Sequence, residues 1–296
     1  MKKNAPINCA DYIIAPGAKL DLHKQATLGE PRYDSSANYR KQLTDSTDNL
    51  KTLQELLYAD NRYSLLIIFQ AMDAAGKDGA IRHVMSGINP QGCRVHSFKH
   101  PSATELDHDF LWRSHCALPE RGQIGIFNRS YYEEVLIVKV QPQLLEAQNL
   151  PCKNVNSKGF WRDRYRSIVD SEAHLVRNGT RIIKFFLHIS KEEQCRRFLD
   201  RIDTADKQWK FSPADVEQRQ HWDAYMSAYA ECLSNTSTVL APWYVIPADD
   251  KKNARLMISA IINETLAGLD LAYPETSAER RAELMEIREQ LLKGEL

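Results

Sequence analysis

Between Asp73 and Gly79 the chain sets a carboxylate, two alanines, a glycine, a lysine, a second carboxylate and a second glycine in succession, DAAGKDG. A lysine that follows small residues and opens an apolar helical pattern (Ile81, Val84, Met85) suits the holding of an anion. Backbone N–H groups of such a loop and the N-terminus of the next helix point at phosphate oxygens, and the lysine adds a full charge. Helix N-termini disfavour cations, so Lys77 is expected to face phosphate. The cradle would be Ala74, Ala75, Gly76, Lys77, Asp78 and Gly79. Against the pattern G-x-x-x-x-G-K-[ST], Gly76 and Lys77 match, whereas Ala71 stands for the first glycine and Asp78 for the hydroxyl that would hold magnesium. Asp73 would repel phosphate unless a cation stood between them, and hard cations share carboxylate and phosphate oxygens, so Asp73 is expected to contact Mg2+. The bland alternative is a small-residue strand-to-helix turn.

A second cluster, Asn128 and Arg129, ends the apolar run Ile124, Ile126, Phe127. Open α/β sheets place ligands beyond the carboxyl ends of their strands, which draws in the tyrosines and glutamates just after, Glu133 among them. Arg129 is either a phosphate contact or an ordinary ion pair, and magnitude separates the two. A charge on a phosphoryl transition state contributes a factor of ~10^3 to 10^5 in rate, an exposed pair ~0 to 1 kcal/mol. Arg196, Arg197 and Arg201 offer charge to a phosphate chain, yet Glu192, Glu193 and Asp200 lie beside them and suit pairing across a solvated helix face. His96 and His100 straddle a strand end, where four-residue spacing makes no metal pair. The aromatics Tyr131, Tyr132, Trp161, Trp209, Trp222 and Trp243 read as core or lid packing.

These residues need a frame. The run Tyr63 to Phe69 reads as a strand buried on both faces, fed by a helix from Ser36 to Asp60 with Leu43, Leu50, Leu53, Leu56 and Leu57 on one stripe. Further strands are expected over 94–98, 124–127, 181–189 and 243–246. Helices are expected over about 77–86, 104–116, 158–177, from Ser190 onward, 251–268 and 277–292. The apolar stripe Leu284, Ile287, Leu291 of the last would dock within the chain or, in a homo-oligomer, on another subunit, the former being the default. Strands alternating with helices and no linker predict one three-layer α/β domain over 1–296 with a mostly parallel five-stranded sheet. An irregular arm, about 1–34, carries Pro6, Pro16 and Pro31.

Lys+Arg and Asp+Glu both number 39, so a basic surface must be local, and no basic and aromatic pattern singles out nucleic acid. The six cysteines (9, 93, 116, 152, 195, 232) form no C-x-x-C pair, which fits a reducing cytoplasm. No segment approaches a membrane span, and none reads as a signal peptide.

Taken in order, FQAMDAAGKDG, NPQG, SFKHP, LDHDFLWR, IGIFNRSYYEEV, KFFLHISKEEQ, KQWKFS and APWYVIPAD resemble the polyphosphate kinase 2 family, and more narrowly its class III branch. The resemblance implies a P-loop kinase fold similar to thymidylate kinase with a helical lid, here about 190–215. It implies Mg2+ dependence, with Mn2+ as a substitute, and transfer of phosphoryl groups from inorganic polyphosphate to AMP and ADP, yielding ATP, with GMP and GDP as further acceptors to test. Residue by residue, Asp73 and Lys77 match the family loop and Arg129 the arginine of its second acidic motif. Lys99 and Arg113 would grip nucleotide phosphates, while Arg196, Arg197, Arg201 and Lys210 would lie on the lid, Arg197 and Arg201 guiding the chain. Asn128 stands where many members have aspartate, which shifts the metal role toward Asp73 and Glu133. The alternatives are an ATP-dependent nucleoside monophosphate kinase, whose usual loop keeps the glycine and hydroxyl missing here, and a non-catalytic nucleotide-sensing module.

Overall fold

The computed structural model describes residues 7–151 and 155–294, the side chains of residues 210, 214 and 215 excepted. The side chain of Lys210, expected on the lid, lies outside the described residues. In chain order the first half forms α1 (Ser36–Asp60), β1 (Ser64–Gln70), α2 (Lys77–Val84), β2 (Cys93–Ser97), α3 (Ala103–Leu106), α4 (Trp112–His115), β3 (Ile124–Asn128) and α5 (Ile137–Val140). The second forms α6 (Lys158–Arg177), β4 (Thr180–His188), α7 (Lys191–Asp203), α8 (Pro213–Gln220), α9 (Trp222–Thr236), β5 (Trp243–Pro247), α10 (Lys251–Ala267) and α11 (Ala278–Lys293).

Every residue of β1 is buried, which is why its sequence shows no alternation. It is the middle of a five-stranded sheet of order β2-β3-β1-β4-β5, and every pairing is parallel. Phe69 lies level with Asn128 on one side and with Phe185 on the other, so the carboxyl ends of the central strands form one rim. From β1 the chain crosses to β2 at one edge, returns to β3, then passes over β1 to β4, and the strand order reverses at β1. Such a reversal opens a crevice above the central strand, where an α/β sheet binds its ligand. Helices α1, α2 and α10 cover one face and α6 and α9 the other. The N-terminal segment lies along β5: Ile14 N donates to Trp243 O at 2.9 Å, and His188 Nε2 lies 3.0 Å from Leu22 O.

Two expectations are corrected, and one helix went unpredicted. The 104–116 segment is two short turns, α3 and α4, because Asp109 accepts from Leu111 N at 2.9 Å and restarts the chain where a continuous helix would need its backbone. Helix α9 went unpredicted although its signal is present: Trp222, Tyr225, Met226, Tyr229, Cys232 and Leu233 are buried at spacings of three and four, while Asp223, Ser227 and Glu231 are exposed. Helix α11 buries none of its residues and leaves Leu284, Met285 and Leu291 exposed, so its stripe does not dock within the chain as expected by default. Of the aromatics read as packing, Trp161, Trp222, Trp243, Tyr131 and Tyr132 are buried, while Trp209 is 77% exposed. None of the described helices is long and apolar enough to cross a membrane.

Candidate active site

The loop from Ala71 to Gly76 joins β1 to α2 through two left-handed residues, Ala74 (φ 61°) and Gly76 (φ 105°). At Gly76 any side chain would be strained. Alanine in this region costs roughly 1–2 kcal/mol, a strain of the sort that persists where a loop serves a ligand. Lys77 is buried, and its Nζ donates to Ala71 O at 2.8 Å and to Met72 O at 3.4 Å. Burial, and then the Arg129 cation, lower its pKa to about 8. Asp78, at the start of α2, accepts from Asn128 Nδ2 at 2.6 Å, which ties the loop's helix to the end of β3.

Arg129 is the third left-handed residue of the site (φ 63°), and its backbone N donates to Phe69 O at 3.0 Å. This turn brings its guanidinium over the loop, with Nη2 2.8 Å from Asp73 Oδ1 and Nη1 4.0 Å from Glu133 Oε2. Glu133 arrives there because Ser130 Oγ accepts from Tyr132 N at 3.1 Å and opens a tight 3-10 turn, Tyr131–Val135. Burial raises the pKa of Glu133, against the pull of Arg129 and Lys77. Beneath the turn, the Tyr131 and Tyr132 hydroxyls each donate to Glu172 Oε1 at 2.8 Å, and Lys184 Nζ donates to Glu172 Oε2 at 2.6 Å. Lys184 and Glu172 are both buried. Removing one partner of such a pair strands the other charge. Glu172→Ala is therefore expected to lower the unfolding free energy by about 3–5 kcal/mol in urea titrations.

Two cavities open on these residues. The larger, about 890 Å³, runs from the loop across the rims of β2, β3 and α10 to the segment after α7. The smaller, about 150 Å³, has apolar walls at Ile137, Val138 and Leu144. Phe98, Lys99, His100 and Arg129 line both. Among the expected residues, Asp73 to Gly79, Asn128, Arg129, Arg197 and Arg201 line the large cavity, and Glu133 and Arg113 the small one. Arg113 is buried, and its Nη1 donates to Lys99 O at 2.8 Å, so it also fixes the backbone beside which Lys99 projects. Arg196 is exposed and pairs with Glu193 at 2.6 Å and Asp200 at 3.0 Å, away from the cavities. Arg197 is buried, with its guanidinium donating to the carbonyls of Ala74, Ala75, Ala248 and Asp249 and to Glu193.

The basic lining also includes Arg82, Lys207, Lys251 and Arg255, which sequence reasoning missed. A signal existed for three of them. Arg82 follows Asp78 by one helical turn, Lys251 lies just beyond the carboxyl end of β5, and Arg255 follows Lys251 by four.

Asp73 and Glu133, both beside Arg129, could hold a metal here. Among the described residues no group of three or more His, Cys, Asp or Glu side chains is placed to hold an ion. Two carboxylates flanking an arginine fit a hard cation that keeps several waters and shares phosphate oxygens with its substrate, as magnesium does. They do not form a closed cage.

A parallel sheet whose central strand runs through a left-handed, lysine-bearing loop into a helix, faced by an arginine from the neighbouring strand, is the framework of a P-loop kinase. The model of the polyphosphate kinase 2 family matches residues 33–273, and the chain belongs to that family. An ADP-polyphosphate phosphotransferase of Rhodopseudomonas palustris is 58% identical over 287 residues, 97% of this chain and 99% of that protein. An AMP/ADP-polyphosphate phosphotransferase of Meiothermus ruber is 47% identical over 233 residues, 78% of this chain and 83% of its own. The crystal structure of polyphosphate kinase 2 from Arthrobacter aurescens superposes with a TM-score of 0.83 at 36% identity, covering 93% and 95% of the two chains.

Proposed function

We propose that this chain transfers the terminal phosphoryl group of inorganic polyphosphate to AMP and to ADP, in the cytoplasm, by direct in-line attack. The observation that carries the reading is that Arg129 lines both the large basic cavity and the small apolar one. The cations lining the first suit a long polyanion, and the apolar walls of the second suit a nucleobase whose phosphate is directed at Arg129. The phosphates of the two substrates then meet at one guanidinium.

The loop N–H groups, Lys77 and Arg129 hold the migrating phosphoryl group while an acceptor phosphate oxygen attacks. That oxygen is already ionised near neutral pH, so no strong base is needed. Lys99 and Arg113 orient the acceptor, Asn128 keeps Asp78 in place, and Arg201 continues the donor track. Asp73 and Glu133 would hold Mg2+, or Mn2+ in its place, which would supply further positive charge to the transferring group.

The test is a matrix of polyphosphate or ATP against AMP, ADP, GMP and GDP. Polyphosphate with AMP and Mg2+ is expected to give ADP and then ATP with no ATP supplied. Transfer to AMP from ATP but not from polyphosphate would make the chain an ordinary nucleoside monophosphate kinase. Nucleotide binding without transfer from either donor would make it a sensor. Along the donor track, Arg255→Ala is expected to raise KM for long polyphosphate roughly fivefold, the effect of one solvent-screened charge worth ~1 kcal/mol. Unchanged KM for long polyphosphate would remove Arg255 from the donor track.

A further inference from the structure

Five successive carbonyls of the phosphate loop, those of Ala71 to Ala75, each accept a hydrogen bond from a side chain. Lys77 takes the first two. The other three belong to α7: Gln194 Nε2 donates to Asp73 O at 3.0 Å, and Arg197 Nη1 donates to Ala74 O at 3.1 Å and to Ala75 O at 2.7 Å. In a planar trans peptide the C=O and the N–H of one unit point in opposite directions. Carbonyls drawn toward α7 therefore aim the N–H groups of the same peptides, those of Ala74, Ala75 and Gly76, the other way; Ala75 N donates to Met72 O at 3.3 Å, which leaves those of Ala74 and Gly76 for an anion, and the carbonyls take partial negative charge out of its site.

We propose that Gln194 and Arg197 are positioning residues of the phosphate loop, which hold its carbonyls back so that its N–H groups receive the donor phosphate. This rests on the loop being the donor site of the proposed reaction. Both side chains are built in: Gln194 is 1% and Arg197 3% exposed. The amide of Gln194 is set by Arg219 of α8, whose Nη1 donates to Gln194 Oε1 at 2.9 Å and to Lys191 O at 2.7 Å. Arg197 is fixed from the far side, where Nη2 donates to Ala248 O at 2.6 Å and to Asp249 O at 3.1 Å, and Nε donates to Glu193 Oε1 at 2.8 Å. A guanidinium has five N–H donors, and the five contacts to Glu193, Ala74, Ala75, Ala248 and Asp249 occupy them. A phosphate chain would have to displace one to bind there. Arg197 thus acts through the loop, and the first half of α7 is a fixed base from which the later part, bearing Arg201, extends over the cavity.

The experiment compares kcat and KM with tripolyphosphate and with long-chain polyphosphate for wild type, Gln194→Leu, Arg197→Lys and Arg197→Ala. Gln194→Leu keeps the volume, removes the donor and lines neither of the two cavities described. It is expected to lower kcat about tenfold, by the same factor for both donors, with KM for AMP unchanged. Arg197→Ala is expected to lose more and to recover in part when guanidinium ion is added at concentrations that leave wild type unaffected. Melting temperatures check folding, and if Arg197→Ala does not fold, Gln194→Leu and Arg197→Lys carry the test. A loss confined to the long donor would make Arg197 a contact for the chain and overturn the proposal. Wild-type kcat in Gln194→Leu would overturn it as well. Should wild type accept ATP and not polyphosphate, the functional reading fails, while the same kcat signature read with ATP still decides the roles of these residues.

Discussion

Lys77→Met is expected to lower kcat by roughly 10^3-fold, the scale set by losing a preorganised charge from a phosphoryl transition state. The substitution suits the site because Lys77 is buried and methionine fills a similar volume. Burial first, and the neighbouring Arg129 second, hold the pKa of Lys77 at about 8, below the usual 10.5. The sign of the stability effect follows. Between about pH 8 and 10.5 the unfolded chain binds this proton and the folded chain does not, so wild-type stability rises with pH across that window. Below pH 8 both states are protonated and the cost of burying the charge is present in full. Lys77→Met should lack that rise and be no less stable than wild type at neutral pH. Catalysis moves the other way. Donor phosphate binds the protonated lysine, so wild-type kcat/KM for polyphosphate should fall above about pH 8, up to tenfold per pH unit, a limb that Lys77→Met should lose. Stopped turnover together with urea titrations across this range measures both. A variant within tenfold of wild type in kcat would remove Lys77 from the chemistry.

Much of this was legible in the chain because the relevant patterns are local. Helix α1 spans Ser36–Asp60 and α6 spans Lys158–Arg177, as their apolar stripes predict, since each packs one face and leaves the other to water. The lysine loop and the Asn128–Arg129 pair sit at neighbouring strand ends, and a buried run followed at once by polar residues signals such an end in any open α/β sheet. What stayed hidden depends on chain segments far apart. The guanidinium of Arg197 reaches loop carbonyls more than a hundred positions away, and its neighbours Glu193 and Asp200 suggest a solvated face, which Arg196 occupies, whereas Arg197 meets Glu193 while buried. Helix α9 was not hidden, since its buried residues recur three and four apart against exposed Asp223, Ser227 and Glu231, while whether the stripe of α11 docks is decided by segments far from it.

Arg129→Ala is expected to cost ~10^3 to 10^5 in kcat, with nucleotide KM changed far less. The ordinary reading of the same geometry is an ion pair, Arg129 to Asp73 at 2.8 Å, with both side chains partly open to water. Such a pair contributes ~0 to 1 kcal/mol to stability and nothing to rate. Two details weigh against it. Arg129 holds a left-handed backbone, φ 63°, which a surface pair does not require, and it stands where the two cavities meet. Arg129→Lys separates charge from shape. Lysine keeps the cation but lacks the planar fork that grips two phosphate oxygens, so it should recover part of the rate while remaining roughly 10^2-fold below wild type. Metal dependence supplies an independent reading. In the folded protein the guanidinium lies between Asp73 and Glu133 and competes with any cation for their oxygens. Removing it should lower the Mg2+ concentration needed for half-maximal turnover even as kcat collapses. Opposite movements of these two quantities mark a residue that meets the phosphates and screens the carboxylates at once. A fall in stability of up to ~1 kcal/mol with kcat retained would instead leave Arg129 as the partner of Asp73 and move the transition-state charge elsewhere on the rim.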